Sequence, residues 1–216
     1  EIKASDLYFE KNHSTFKLFI NNEPQGELAV HVPGKHNVIN ALGAAVLALK
    51  LDIPFDKIQS GLDQYTGVRR RFDIKYTTAN NIIIVDDYAH HPSEVSATLG
   101  AAKSGWDHRI IAIFQPHLFT RTRDFYKDFA LAFQQSDILI VTDIYPAREE
   151  PLKGITAKII ADEAEKLGHG HIEFIENQNN IPARLKDISQ PNDMIITMGA
   201  GNIWRQCEGI YEALNN

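Results

Sequence analysis

The chain has 216 residues and a formal charge of −6, with 44% hydrophobic and 23% charged residues. These values are ordinary for a soluble globular protein of one large or two small domains. The acidic balance argues against general nucleic-acid binding, the single Cys207 excludes an internal disulfide, and no apolar run is long enough to cross a bilayer.

The first third of the chain predicts short strands followed by two helices. Turn-forming residues separate the strands, which we expect at Leu7–Glu10, Thr15–Ile20 and Glu27–Val32. Small and apolar residues predict a buried helix over His36–Leu51, and a second, amphipathic helix follows over Pro54–Tyr65.

The segment Thr66–Arg71 contains a glycine and three arginines, which make a poor interior for a helix or strand. We therefore predict a domain boundary there. Residues 1–66 would belong to one domain, residues 67–71 would form a hinge, and residues 72–216 would form a second domain.

From Phe72 onward apolar runs alternate with amphipathic segments, which predicts an α/β domain with a mainly parallel sheet covered on both faces. The predicted strands are Ile82–Asp86, Ile110–Phe114, Ile138–Thr142, Ile172–Ile175 and Met194–Met198. The predicted helices are Ser93–Lys103, Asp124–Gln134, Ile155–Leu167, Ile181–Ile188 and Ile203–Leu214. Since ligands of such sheets bind at the carboxyl ends of the strands, the polar residues after each strand are the candidates for chemistry.

The densest polar cluster is Asp86-Asp87-Tyr88-Ala89-His90-His91-Pro92. A carboxylate at a strand end can hold a ribose hydroxyl or a metal-bound water, and a histidine can bind a carboxylate. One alternative is that these side chains only cap the next helix. A zinc site with His117 is the weaker alternative, because adjacent histidines seldom ligate one zinc and no cysteine completes the set.

A second polar group follows the next strand. His117, Arg121 and Arg123 resemble an anion pocket in a strand-to-helix loop, although the arginines could instead pair with nearby aspartates on the surface. Consecutive strands of a βαβ unit usually pair, so we expect the His90 loop and the His117 loop to converge on one small anion.

Three further patterns suit a nucleotide, and each has a simpler explanation. Asn37 and Asn40 share a helix face, and their side-chain amides could bind the edge of an adenine. The simpler explanation is that one of them caps the helix. The arginines of 69–71 could clamp a phosphate between domains, or form a solvated linker. Gly199-Ala200-Gly201 resembles half a phosphate loop, or is simply a tight turn.

Five sequence strings occur together and in order, and together they resemble the Mur ligases. They are Gly34-Lys35-His36-Asn37-Val38-Ile39-Asn40, Gly67-Val68-Arg69-Arg70-Arg71-Phe72, Asp86-Asp87-Tyr88-Ala89-His90-His91-Pro92, Phe114-Gln115-Pro116-His117 with Thr120-Arg121-Thr122-Arg123, and Tyr145-Pro146-Ala147-Arg148-Glu149. The double histidine with F-Q-P-H is typical of the family member that joins L-alanine to UDP-N-acetylmuramate.

The resemblance implies a cytoplasmic, three-domain ligase of peptidoglycan synthesis that uses ATP and magnesium. The muramoyl carboxylate would be phosphorylated, and the amine of L-alanine would attack the acyl phosphate. The chain begins at Glu1 and contains no G-x-x-x-x-G-K-[ST] phosphate loop. We therefore expect a fragment, inactive alone, formed by the tail of the central ATP-binding domain and the Rossmann-like C-terminal domain. The magnesium ligands would lie mostly upstream of Glu1.

On the ATP side, the resemblance assigns residues position by position. Asn37 and Asn40 resemble the asparagines beside the adenine, and Asp87 resembles the aspartate near the ribose. Arg71, with Arg70 as the alternative in register, resembles the arginine that reaches the ATP phosphates.

On the amino-acid side, His90 and Arg121 resemble residues that face the carboxylate of L-alanine, with His117 beside them. Arg71 and His90 are the candidates for a catalytic role. Leu118 stands where some family members carry an additional arginine, so carboxylate binding would depend more on Arg121 and His90.

Two other functions fit the same pattern. The first is the related ligase that reattaches a recycled murein tripeptide, for which we would expect a different string in place of F-Q-P-H. The second is a non-catalytic module that binds a nucleotide or an anion, because a fold does not determine a function. The resemblance implies small-molecule substrates as partners and says nothing of the oligomeric state.

Overall fold

A computed structural model describes residues 1–215, which divide into two compact units. The first unit comprises Glu1–Val68 together with Gly100–Asp107, and the second comprises Arg69–Leu99 and the residues from His108 onward. The division between Val68 and Arg69 falls within the segment Thr66–Arg71. The hinge at 67–71 stays a prediction, because a division into units does not demonstrate motion.

The first unit contains a three-stranded antiparallel sheet in the order β1-β2-β3 and two helices. Its elements are β1 (Ile2–Glu10), β2 (His13–Ile20), β3 (Glu23–Val30), α1 (Lys35–Lys50) and α2 (Phe55–Asp63). The core joins Phe16 and Leu28 of the sheet to Val38 and Ala45 of α1. β1 begins well before the predicted Leu7 because backbone pairing with β2 continues through residues whose side chains are exposed or only partly buried.

The second unit is built on a six-stranded sheet in the order β4-β5-β9-β6-β7-β8. Its strands are β4 (Asp73–Thr77), β5 (Ile83–Asp87), β6 (Arg109–Phe114), β7 (Ile138–Val141), β8 (Ile172–Phe174) and β9 (Asp193–Met198). All of them pair in parallel except the edge strand β4, which is antiparallel to β5. The predicted mainly parallel α/β fold is therefore confirmed, although β4 was missed because its short, half-exposed sequence carries little apolar signal.

Helices cover both faces of this sheet. They are α3 (Pro92–Gly105), α4 (Phe119–Ala132), α5 (Lys158–Lys166), α6 (Ile181–Ile188) and α7 (Gln206–Asn215). Ile113 belongs to a cluster with α6 and α7. Its neighbour Phe114 points to the opposite face, where its ring lies 4.8 Å from that of Phe129 in α4. Within residues 1–215, no helix is long and apolar enough to cross a membrane.

The expectation that β5 and β6 pair is wrong. β9 lies between them and forms parallel ladders with both. Every residue of β9 is buried. The central position suits this strand because both of its faces are covered there and its apolar side chains are removed from water.

Helix α4 begins at Phe119 and not at Asp124. The prediction of a loop around Arg121 is therefore wrong, because that residue lies in the first turn of the helix. The polar sequence of this turn hides its helical periodicity, and an acceptor from a distant loop stabilises its start, as described below.

The turn after β9 leaves no room for a side chain. Gly199 has a φ of 148°. A Cβ atom at this position would lie 2.6 Å from the carbonyl oxygen of Gln115, closer than such atoms approach in proteins. Glycine is therefore required here both by backbone conformation and by space.

We expect Gly199→Ala to lower the free energy of unfolding by at least about 2 kcal/mol, through strain at positive φ and displacement of the Gln115 backbone. Gly170→Ala is the control, since a Cβ there meets no atom within 4 Å. It should change the free energy of unfolding by less than about 0.5 kcal/mol. Urea denaturation measures both, and equal midpoints would show that the turn adapts without strain.

Candidate active site

At the end of β5, the buried carboxylate of Asp86 holds the side chain of Arg70. Arg70 Nε donates to Asp86 Oδ2 at 3.0 Å, and Arg70 Nη2 donates to the carbonyl oxygen of Gly199 at 2.7 Å. The Thr197 hydroxyl donates to Asp86 Oδ1 at 3.1 Å. Burial raises the pKa of Asp86, and the Arg70 guanidinium opposes that rise. Arg70 thus ties the first residues of the unit to the sheet.

The next residue, Arg71, has more freedom than Arg70. Its side chain is 52% exposed, compared with 26% for Arg70. Its closest acidic partner is Glu94, with Arg71 Nη1 3.5 Å from Glu94 Oε1. Both guanidinium groups lie over the Tyr88 ring, at 4.8 Å for Arg70 and 5.7 Å for Arg71. The guanidinium N–H groups of Arg71 are therefore more accessible to a ligand than those of Arg70.

Asp87 is turned towards the interior of the unit. Its Oδ2 accepts the N–H of Phe72 at 2.8 Å, and its Oδ1 accepts the N–H of Ala89 at 2.8 Å. Burial raises the pKa of this carboxyl, and the two backbone amides oppose the rise. Asp87 therefore shapes the loop after β5 and is only 5% exposed to a ligand.

Glu94 closes the same loop onto α3. It accepts the N–H groups of His90 and His91 at 2.9 and 3.2 Å. Its pKa is lowered, because these amides and the charges of His90 and Arg71 outweigh burial. His90 Nδ1 lies 2.9 Å from the Tyr88 carbonyl oxygen, so this nitrogen carries a proton and Nε2 is left for a ligand. The capping alternative applies to His91, whose Nδ1 accepts the N–H of Ser93 at 3.4 Å.

The loops after β5, β6 and β7 meet even though β9 separates β5 from β6. The His117 ring lies 6.1 Å from the His90 ring, and it stacks on Tyr145 at 5.8 Å. Small residues after β9 make this approach possible, since a Cβ on Gly201 would lie 2.7 Å from Tyr145 Cγ. The His90 loop and the His117 loop therefore lie close together, as predicted. The cause is the small residues after β9 and not a direct pairing of β5 with β6.

Two buried polar atoms at this meeting point have no hydrogen-bond partner within residues 1–215: His117 Nδ1 and Arg121 Nη1. Burial lowers the pKa of His117, and the charges of Arg121 and His90 lower it further. Arg123 differs, since it is exposed and pairs with Asp124 at 2.7 Å. A buried guanidinium N–H without an acceptor is unfavourable, so this place suits a small anion.

A protein side chain already lies against the turn Gly199-Ala200-Gly201. The Gln115 side chain lies against it, and its Oε1 accepts the N–H groups of Asn202 and Ile203 at 2.9 and 3.1 Å. Gln115 Nε2 donates to Asn202 Oδ1 at 2.9 Å. The side-chain amide of Gln115 therefore occupies two of the backbone donors that follow β9, which supports the tight-turn interpretation.

In the first unit, Asn37 and Asn40 lie on one face of α1, with Asn40 Nδ2 3.5 Å from Asn37 Oδ1. The alternative that one of them caps the helix is wrong. The N-cap residue is Gly34, with a φ of 93° and no side-chain cap. Asn37 Nδ2 donates to the Pro33 carbonyl oxygen at 2.8 Å, whereas Asn40 is exposed.

Sequence reasoning did not single out Glu149, Thr120 or Tyr145 as site residues. Glu149 Oε2 accepts the Thr120 N–H at 3.0 Å, which joins the loop after β7 to the start of α4. Only the string Tyr145-Pro146-Ala147-Arg148-Glu149 pointed to this loop. No group of three or more His, Cys, Asp or Glu side chains in residues 1–215 is arranged to hold a metal ion.

Relatives of known name align with the whole chain. A UDP-N-acetylmuramate–L-alanine ligase from Salinibacter ruber is 41% identical over 217 residues, which cover 100% of this chain and 46% of that protein. The enzyme of the same name from Trichlorobacter lovleyi is 41% identical over 215 residues, which cover 99% of this chain and 47% of that protein. The chain thus spans about half the length of these curated relatives.

Solved structures agree with this comparison. The UDP-N-acetylmuramate–alanine ligase of Thermotoga maritima matches with a TM-score of 0.81 and 28% identity, over 98% of this chain and 45% of that chain. A murein peptide ligase from Psychrobacter arcticus matches with a TM-score of 0.65 and 23% identity, over 100% of this chain and 44% of that chain, which shows the fold alone.

The family described as "Mur ligase, glutamate ligase domain" matches residues 70–201, which is more than half of the chain. Together with relatives that align along its full length, this match shows that the chain belongs to the Mur ligase family.

Proposed function

We propose that this chain is the amino-acid-binding part of a cytoplasmic UDP-N-acetylmuramate–L-alanine ligase. The observation that carries the proposal is the buried, unpartnered Arg121 Nη1 beside His117, where three loops meet. The two curated relatives described above, both of that name, support the same assignment. In the proposed reaction, the muramoyl carboxylate receives a phosphoryl group from ATP, and the amine of L-alanine then displaces phosphate from the acyl phosphate.

The L-alanine carboxylate would bind at Arg121, whose free guanidinium N–H supplies the charge-assisted hydrogen bond that this carboxylate needs. The rings of His90 and His117 lie beside this place, 6.1 Å apart. The pKa of His117 is lowered by burial and by the Arg121 charge, so His117 is mostly neutral near pH 7 and Arg121 provides the positive charge.

The ATP side rests on fewer contacts. Arg71 is the better candidate for the phosphates, because Arg70 is held by Asp86 and Gly199. Asn40 is exposed and would face the adenine together with Asn37. The assignment of Asp87 to the ribose stays a prediction without support from its contacts, since two backbone amides occupy its carboxylate. We assign no magnesium ligand among residues 1–215.

The full-length protein should release phosphate from ATP when UDP-N-acetylmuramate and L-alanine are both present. This chain alone should show no such turnover, because it contains no phosphate loop. Replacing L-alanine by murein tripeptide tests the recycling ligase. If the full-length protein releases no phosphate with either L-alanine or the tripeptide, the non-catalytic module is the remaining function. Turnover by the chain alone would show that the phosphate site lies within these 216 residues.

In the full-length enzyme, Arg121→Ala should raise the KM for L-alanine by roughly 30- to 1,000-fold, since the carboxylate loses its charged partner. The KM for ATP should change little, and His90→Ala should act in the same direction more weakly. Arg123→Ala is the control, because Arg123 forms only a surface ion pair. A KM for L-alanine that stays within about twofold in Arg121→Ala would rule out the carboxylate assignment.

Arg71→Ala and Arg70→Ala should separate a ligand contact from a structural one. Arg71→Ala should impair the use of ATP and leave the free energy of unfolding nearly unchanged. Arg70→Ala should lower the free energy of unfolding by about 3 kcal/mol, because it leaves the buried Asp86 without its partner. Steady-state kinetics and urea denaturation of both variants check this, and the reverse pattern would exchange the two roles.

A further inference from the structure

We propose that Glu149 is a positioning residue for the amino-acid site, which caps helix α4 from the loop after β7 and thereby holds Arg121. This inference rests on the proposed function. It adds to the site a residue that touches neither ATP nor the amino acid in that proposal.

Helix α4 has no cap of its own. Its N-cap residue is Leu118, which makes no side-chain cap hydrogen bond, and no acidic residue lies in its first turn. Leu118 has a φ of 73°, a backbone conformation that favours glycine over leucine. The turn that carries Arg121 therefore depends on an acceptor from elsewhere in the chain.

Backbone hydrogen bonds bring the loop after β7 to this turn. The Leu118 N–H donates to the Tyr145 carbonyl oxygen at 3.0 Å, and the Tyr145 N–H donates to the Pro116 carbonyl oxygen at 2.8 Å. The two loops thus run side by side and form an isolated parallel bridge between His117 and Tyr145. This pairing places Glu149 at the start of α4.

Glu149 supplies the missing acceptor. Its Oε2 accepts the Thr120 N–H at 3.0 Å, and its Oε1 accepts the Thr120 hydroxyl. These hydrogen bonds, the hydroxyl first and the amide second, lower the pKa of Glu149. The carboxylate is therefore ionised at neutral pH, and its charge lies at the positive end of the α4 dipole.

Both carboxylate oxygens of Glu149 accept hydrogen bonds from Thr120. Glu149 therefore holds the helix without forming an ion pair with Arg121. No acceptor within residues 1–215 satisfies Arg121 Nη1, which remains for a ligand. The charge of Glu149 also opposes the fall in the His117 pKa that burial, Arg121 and His90 cause. Its effect should therefore appear in amino-acid binding and not in ATP binding.

The test uses the full-length enzyme with Glu149→Gln and Thr120→Val, and with Glu150→Gln as the matched control, since Glu150 is the exposed neighbour. Glu149→Gln should raise the KM for L-alanine about five- to tenfold. The kcat at saturating L-alanine and the KM for ATP should stay within about twofold, whereas general damage to the fold would change all three. Thr120→Val should have a similar effect, and the double variant should be no worse than the more affected single variant.

Amide hydrogen exchange gives a second measurement that needs no substrate. The first turn of α4 should exchange faster in Glu149→Gln than in Glu150→Gln. Unchanged exchange, or faster exchange with an unchanged KM for L-alanine, would overturn the positioning role. A wild-type enzyme that does not use L-alanine would overturn the proposed function, and the exchange data would then decide alone whether Glu149 caps α4.

Discussion

The close approach of backbone to backbone at the end of β9 is the constraint on which the site depends. The Gly199 N–H donates to the Asp87 carbonyl oxygen on one side, and the Gln115 N–H donates to Met198 on the other. Arg70 binds the carbonyl oxygen of Gly199. With glycine at positions 199 and 201, the loops after the two flanking strands can reach each other across the central strand. A larger residue there would separate the His90 loop from the His117 loop.

Around this turn, the charged groups divide into two kinds. Asp86, Asp87 and Glu94 accept hydrogen bonds from an arginine, from the Thr197 hydroxyl or from backbone amides, so they fix the shape of the loops. Arg121 and His117 are left with buried atoms that lack partners within residues 1–215. Such preorganised but unsatisfied groups reduce stability in the free protein and favour a ligand that completes them. The positive φ of Leu118 is a further strain at the same place.

The sequence predicted the fold better than it predicted the site. Apolar runs and helical periodicity indicated most strands and helices of the second unit, because burial dictates those patterns. The insertion of β9 between β5 and β6 carries no local signal, so the expected pairing failed. The start of α4 was misplaced because its cap, Glu149, lies 29 residues away from Thr120. Arg70 and Arg71 could not be separated from sequence, since only the structure shows which of them Asp86 holds.

The position of Gln115 has a consequence for how this domain diversifies. Its neutral side-chain amide accepts hydrogen bonds from two backbone N–H groups after β9. These two N–H groups are therefore not free to bind a ligand. Under the proposed function, the choice of amino acid depends on side chains of the loops after β5, β6 and β7, which lie outside the buried sheet. In that proposal, substitutions in these loops would change which amino acid binds, while the sheet retains its packing. Scaffold and selectivity can therefore evolve as separate modules.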